Sequence, residues 1–212
     1  ISEQRIAESA QIAPRAEVTG PVVIAEDVRI FSGAHIVGPA YIGRGAIIGD
    51  NALVRESQIG EGSVVGFNTE VARSYVGRNC WFHSNYIGDS VIVDEVSFGA
   101  GAVTANLRFD EQPVSSRVGD ALVDTGRVKL GAIVGRGSKI GVNATLLPGV
   151  KIGAGTWVSP GLVVREDVPD GVYLTPPPGG EMRPNRAQPH PTQRESFRQR
   201  LLGTPDTPDR GR

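Results

Sequence analysis

Stepping through the chain six residues at a time from Ile6 lands on Ile12, Val18, Ile24, Ile30, Ile36, Ile42, Ile48 and Val54, an Ile or Val at every stop. A second ladder of small residues runs four places later, through Ala10, Ala16, Val22, Val28, Ala34, Ala40, Ala46 and Ala52. Self-similarity at a short fixed period is the mark of a solenoid, because each repeat stacks on the one before it. Three six-residue rungs close one triangular coil of about 18 residues. The aliphatic side chains point into the prism, each worth roughly 1.5–3 kcal/mol when buried. Residues such as Gly33, Gly45, Asp50 and Asn51 turn the corners. The expected fold is all-β, a left-handed parallel β-helix of hexapeptide repeats.

The phase then slips by single residues and recovers. Five-residue steps lead from Val54 to Ile59, from Val71 to Val76, from Phe82 to Ile87 and from Ile87 to Ile92. The ladder reaches Phe98, fades near Thr104, restarts at Val134 and continues through Ile140, Leu146, Ile152, Val158 and Val164. The break between the two runs, about 105–129, reads as a loop ejected at a corner, with a hairpin turn at Val118-Gly119-Asp120-Ala121. Such loops usually lie on the functional side of a solenoid.

The β-helix is expected to occupy 1–168. Residues 169–212, rich in Pro, Arg and polar side chains, are expected to form a mostly disordered tail that can be removed after Thr175 at little cost in stability. A helical turn or two between Thr192 and Leu202 is the alternative there. Low aromatic content, 6%, and 28 glycines suit stacked short strands. No stretch is long and apolar enough to span a bilayer, and no signal peptide precedes Ile6. The lone Cys80 suits a cytoplasmic protein. A net charge of −1 gives no case for nucleic acid. The chain starts at Ile1, not Met, so a preceding N-terminal part is expected.

Polar residues concentrate in two runs: Phe82-His83-Ser84-Asn85-Tyr86-Ile87-Gly88-Asp89-Ser90, and Phe98 to Glu111. Of the three histidines, His35 is several coils from His83 and His190 is in the tail, so three ligands for a catalytic zinc do not converge. No metal is expected. His83 sits where the repeat slips, and from the residues alone it is either a surface histidine or a functional one.

These two runs, continued by Lys129-Leu130-Gly131-Ala132-Ile133-Val134-Gly135 and by Gly141 to Gly153, resemble one family over roughly 6–168. The chain is similar to the C-terminal β-helix of the sugar-1-phosphate nucleotidylyltransferases that carry an acetyltransferase tail. More distantly it resembles the acetyltransferase half of the bacterial N-acetylglucosamine-1-phosphate uridylyltransferase/glucosamine-1-phosphate N-acetyltransferase. The stretches His83-x-x-Tyr86-Ile87-Gly88-Asp89-Ser90 and Gly99-Ala100-Gly101-x-Val103-Thr104-Ala105-Asn106-Leu107-Arg108-Phe109-Asp110-Glu111 carry the likeness. The nucleotidylyltransferase domain, with its Gly-rich loop, is absent from these residues.

The resemblance implies transfer of an acetyl group from acetyl-CoA to the amine of an amino-sugar 1-phosphate. His83 falls on the family's catalytic histidine, and an imidazole with an unperturbed pKa of about 6.5 suits a general base. Tyr86 and Asn106 match residues that contact the sugar phosphate and orient the sugar. CoA is implied along Gly99, Ala100, Gly101, Val142 and Pro160. The family's phosphate-binding lysines are replaced by Gln112 and Ser115, and its asparagine before the Gly-Ala-Gly stretch by Ser97. Phosphate would then fall to Arg55, Arg73 and Arg108, since guanidinium groups chelate phosphate in a bidentate way. Two functions stay open: an N-acetyltransferase, or a non-catalytic trimerising and regulatory β-helix of a nucleotidylyltransferase. Either is expected to assemble as a homotrimer, because flat apolar faces need partners and a closed ring satisfies them.

Overall fold

The computed structural model describes residues 1–176, 182–185 and 198–199. Short parallel strands wind into three sheets, the faces of a left-handed triangular prism. Face 1 has eight strands, from Arg5–Ile6 to Lys151–Ile152; face 2 has ten, beginning at Gln11–Ile12; face 3 has eight, from Glu17–Thr19 to Val163–Val164. The chain passes from face 1 to face 2 to face 3 in every coil, so each edge of the prism is a column of corners.

The ladder of the sequence is the core. Ile24, Ile36, Ile42, Ile48, Val54, Ile59, Val65, Phe82, Ile87 and Phe98 are all at most 2% exposed. The registers reproduce the phase slips. Val23 pairs with Tyr41, a coil of 18 residues. Gln58 pairs with Tyr75, a coil of 17. Tyr75 pairs with Val91, a coil of 16. The next step on this face, Val91 to Ile133, spans the ejected loop.

A coil that loses a residue must still return to register, and polar side chains make up the difference. Three of the four five-residue steps turn at the edge between faces 3 and 1. There Glu56, Arg73 and Asp89 adopt left-handed backbone, with φ of 50°, 47° and 49°. Ser57, Ser74 and Ser90 follow them, in the small-residue register of Val22 and Ala40, and each is at most 5% exposed. The Ser74 hydroxyl donates to the Ala72 carbonyl at 2.8 Å and accepts the Ser90 N–H at 3.0 Å. The Ser90 hydroxyl donates to the Gly88 carbonyl at 2.7 Å and accepts the Ala132 N–H at 3.1 Å. The fourth short step turns at the edge between faces 2 and 3, where Ser84 has φ 42° and the buried Asn85 reaches the next coil. Its Nδ2 donates to the Gly99 and Ala102 carbonyls at 2.7 and 2.8 Å.

The ejected loop leaves and rejoins at the 3–1 edge, pinned by an antiparallel bridge between Leu107 and Lys129. Its hairpin, Ser115–Val118 against Ala121–Asp124, turns at Gly119 as expected. The hairpin folds back onto later coils: Val114 is 1% exposed, and the Ser116 hydroxyl donates to the Gly149 carbonyl at 2.9 Å.

The stack runs past the expected boundary at 168. Val172–Leu174 pairs in parallel with the Trp157–Val158 strand of face 2, and Met182–Pro184 pairs antiparallel with it. Asn185 Nδ2 donates to the Gly155 carbonyl at 3.0 Å. The reason is the unpaired edge of the last coil, which backbone from the tail can satisfy. Arg198 Nη2 donates to the Gly45 carbonyl at 2.8 Å on the 1–2 edge, and Arg198 and Gln199 are helical. The rest of the expected tail lies outside the described residues. Among those described, no helix is long and apolar enough to cross a membrane.

Replacing Ser74 with Ala removes the acceptor of the buried Ser90 N–H. An unmet buried donor costs about 1–3 kcal/mol, and in a chain of this size each kcal/mol moves the thermal midpoint by roughly 2–4 °C. Ser74→Ala should therefore lower the midpoint by several degrees in a thermal melt. An unchanged midpoint would show that the serines only fill space.

Candidate active site

The residues singled out in the sequence fall on two edges that border face 3. His83, Gly99, Ala100, Gly101, Val142 and Pro160 share the edge between faces 2 and 3, on consecutive coils. The Gly101 N–H donates to the Ser84 carbonyl at 3.0 Å, Asn143 N–H to the Ala100 carbonyl at 3.0 Å, and Gly161 N–H to the Val142 carbonyl at 2.9 Å. A Cβ at Gly99 would lie 2.7 Å from Val142 N, and one at Gly141 2.5 Å from Pro160 N. The column is thus backbone stacked closely on backbone.

His83 stands at the head of this column, in the shortened corner between Trp81–Phe82 and Tyr86–Gly88. Its backbone N–H donates to Asn85 Oδ1, so the buried asparagine that repairs the corner also fixes it. The imidazole is exposed at the surface with the Trp81 ring beside it, centroids 6.3 Å apart. Partial burial disfavours the imidazolium and lowers the His83 pKa from its ordinary value.

The second group stands on the 3–1 edge. Arg73 and Asp89 occupy successive left-handed corners, and the guanidinium grips the carboxylate through two bonds of 2.7 Å. Asn106, at the base of the ejected loop, donates to Asp89 Oδ2 and, at 3.0 Å, to the Tyr86 hydroxyl. Tyr86 lies along its own strand over Gly88, where a Cβ would come within 2.6 Å of both the Tyr86 hydroxyl and Asn106 Nδ2. Gly88 is therefore what allows these two side chains to meet on the outer surface. Asp89 feels opposing influences. Burial, the largest, raises its pKa; hydrogen bonds from Arg73 and Asn106, with the charges of Arg73 and Lys129, outweigh it and leave the pKa lowered.

The remaining arginines stand apart from this cluster. Arg55, one coil earlier on the same edge, is held by Glu70 at 2.9 Å. Arg108 pairs with Asp110 in the exposed part of the loop at 2.8 Å. His35 lies near Thr19, 3.2 Å from its hydroxyl, and His190 lies outside the described residues. Sequence reasoning missed Asp89 as the centre of the polar group and missed Lys129 entirely. The returning arm of the loop brings Lys129 in: Leu130 N–H donates to the Asn106 carbonyl at 3.0 Å, and Gly131 N–H to the Asp89 carbonyl at 2.8 Å. Among the described residues Lys129 forms no ion pair. The only sequence signal was its place in the Lys129-Leu130-Gly131 run; its nearness to Asn106 depends on the loop's two ends meeting.

Comparison with known proteins agrees with this architecture. The bacterial transferase hexapeptide family (six repeats) matches residues 21–56. A bifunctional sugar-1-phosphate nucleotidylyltransferase/acetyltransferase of Sulfurisphaera tokodaii is 43% identical over 161 residues, which is 74% of this chain and 40% of that protein. The chain thus spans less than half of that relative. An uncharacterised acetyltransferase of Escherichia coli, YaiX, is 37% identical over 169 residues, covering 74% of this chain and 69% of that one. The crystal structure of the Francisella novicida UDP-N-acetylglucosamine acyltransferase shares the fold, with a TM-score of 0.51 at 15% identity over 94% of this chain and 71% of that one. The chain belongs to the hexapeptide-repeat transferases.

The Asp89 cluster has a testable pH signature. A carboxylate whose folded pKa is lowered adds stability that is fully present above its unfolded value, ~3.9 for aspartate, and is lost as pH falls through the folded value. The stability gap between wild type and Asp89→Asn should be widest at neutral pH and close on strong acidification, read by denaturant melts across pH. A constant gap would mean the aspartate's charge is irrelevant to the fold.

Proposed function

We propose that this protein transfers the acetyl group of acetyl-CoA to the amino group of an amino-sugar 1-phosphate. The observation that carries the reading is the shared edge: His83 heads the same column as Gly99, Ala100, Gly101, Val142 and Pro160, so base and donor track are collinear. The lowered His83 pKa keeps the imidazole neutral near neutral pH, as a base requires. The amine attacks the thioester carbonyl carbon, and His83 takes the proton it sheds. The C–S bond then breaks, and the CoA thiolate recovers the proton from His83. Charge builds on the thioester oxygen in between. The Gly99 N–H is committed to the Ile140 carbonyl and the Gly101 N–H to the Ser84 carbonyl, at 2.8 and 3.0 Å. Among the described residues the Ala100 N–H makes no hydrogen bond, which makes it the donor for the oxyanion.

The acceptor lies across face 3, its amine towards His83 and its phosphate towards the 3–1 edge. Arg73 is balanced by Asp89, so Lys129 supplies the net positive charge there and replaces the lysines missing at Gln112 and Ser115. Tyr86 and Asn106 contact the sugar between them. The name of the Sulfurisphaera relative, which joins sugar-1-phosphate nucleotidyl transfer to acetyl transfer, supports this class of acceptor.

Parallel prisms assemble as a trimer in which a neighbour closes the cleft. Face 1 supports this: Tyr41, Gln58, Tyr75 and Val91 stand in one outward row beside the 3–1 edge, with Tyr41, Tyr75 and Val91 37%, 45% and 41% exposed. Light scattering at micromolar protein should give three times the chain mass; a monomer at every concentration defeats the assembly.

The chemistry is tested with acetyl-CoA and glucosamine 1-phosphate or galactosamine 1-phosphate. His83→Ala should lower turnover by roughly 10²–10⁴-fold without loss of fold. The wild-type pH profile should rise to a plateau through an inflection below ~6.5, the ordinary histidine value. Lys129→Gln should raise KM for the phosphorylated acceptor and leave KM for acetyl-CoA unchanged. Full turnover in His83→Ala would refute the base assignment. An inactive wild type would favour a scaffold for nucleotidyl transfer, a role in which every arginine salt bridge of these edges serves only structure.

A further inference from the structure

On face 2 one residue of each strand points outward while its neighbour enters the core. In register the outward row includes Arg29, Ile47, Val64, Trp81 and Ser97. Two of these behave unlike the rest. Ile47 and Val64 are 2% and 4% exposed, although it is Ile48 and Val65 that stack inside the prism. Face 1 shows what outward apolar residues do when nothing covers them: Tyr41, Tyr75 and Val91 stand exposed. On face 2, therefore, some part of the chain lies over Ile47 and Val64.

A C-terminal segment reaches this part of the prism. Arg198 Nη2 donates to the Gly45 carbonyl at 2.8 Å, and a Cβ at Gly62, one coil on, would lie 3.7 Å from the same nitrogen. Gly45 and Gly62 are the corner residues two places before Ile47 and Val64. The guanidinium thus spans the same two coils as the covered pair. Arg198 and Gln199 are helical. Beyond Met182 the only large apolar side chains in the sequence are Phe197, Leu201 and Leu202, and these flank that helical pair. Residues four apart, as Phe197 and Leu201 are, share one face of a helix.

We infer that residues 196–202 dock on face 2 of their own chain, with Phe197 and Leu201 seated on Ile47 and Val64 and Arg198 anchoring the segment at the 1–2 edge. Reach assigns the occupant to the same chain. Asn185 is fixed on that edge at the Gly155 carbonyl. From Gly155 the column of corners passes Gly137, Glu95, Asn79 and Gly62 to Gly45. Those five coils measure about 24 Å at ~4.8 Å each, and the thirteen residues from Asn185 to Arg198 can extend over ~40 Å. The dock borders the candidate site. Trp81 follows Val64 in the row, and its ring stands beside His83, centroids 6.3 Å apart. An apolar patch one coil from that ring is closed by the chain's own end.

Hydrogen exchange read by mass spectrometry on the full chain tests the dock. In wild type the amides of 196–202 should exchange roughly tenfold or more slowly than in a free synthetic peptide of the same sequence, because a docked segment exchanges only when it opens. Phe197→Ser should bring them to the peptide's rate and leave exchange in the core strands unchanged. Ile47→Asn should do the same from the other side of the contact, with a thermal melt showing the prism folded. If Ile47→Asn does not fold, Phe197→Ser alone decides. Exchange at the peptide's rate in wild type overturns the dock, and so does wild-type protection in the folded variants. Protection that disappears on dilution together with the oligomer places the segment on a neighbouring copy and overturns the assignment to the same chain. None of these readouts depends on acetyl transfer.

Discussion

Every coil of this prism must hand the chain to the next one in register, because neighbouring coils are the only partners for each other's backbone groups. The inward Ile, Val and Phe side chains enforce that register by stacking like on like. Burial of such a side chain contributes roughly 1.5–3 kcal/mol, and a shift by one residue would turn it outward. Eighteen residues satisfy the geometry with three equal sides, as in the coil from Val23 to Tyr41. A coil of 16, such as Tyr75 to Val91, keeps the same sides and must shorten its corners.

Two features meet at the short corners. A residue removed from a corner leaves backbone groups facing a gap, and Ser57, Ser74, Ser90 and Asn85 close it with side-chain hydrogen bonds. The residue at the apex also takes left-handed backbone, as it does at full-length corners such as Asp27 and Asn51, at a cost of about 1–3 kcal/mol for a side chain other than glycine. Arg73, Asp89 and Ser84 accept that conformation, and it projects their side chains away from the prism. Coil shortening is therefore concentrated where the polar chemistry is: His83 beside one shortened corner, Arg73 and Asp89 at two others.

The ladder made the fold legible, because burial in a narrow prism leaves a period that no other residue pattern imitates. The slips were legible too, and each one marks a corner. The two edges were not. Gly99, Val142 and Pro160 are far apart in the chain, and only the coil registers put them in line with His83. Arg55 and Arg108 looked suited to phosphate, but Glu70 holds the first from the next coil, and Asp110, two residues on, holds the second. Lys129 was hidden for the opposite reason. It sits more than twenty residues after Asn106, and the bridge from Leu107 to Lys129 is what closes the distance. The end of the stack was misjudged because composition reports what a segment can bury, whereas Val172–Leu174 and Met182–Pro184 are held by backbone pairing, to which composition is blind.

The division of labour proposed for the two edges follows from their electrostatics. Between His83 and Leu162 the 2–3 edge has no charged corner residue and is built of close-stacked backbone, with the imidazole of lowered pKa at its head. That suits a base whose proton affinity must stay modest and a donor whose thioester is neutral. The 3–1 edge holds charges of both signs, with Asp89 gripped by Arg73 and approached by Lys129. Had the base stood there, a neighbouring carboxylate would have favoured its protonated form and raised its pKa, leaving it unable to accept a proton at neutral pH. Had the phosphate stood beside His83, its negative charge would have done the same. On the proposed reading, placing one at each border of face 3, with Tyr86 laid across Gly88 between them, keeps the base neutral and still lets one small acceptor touch both.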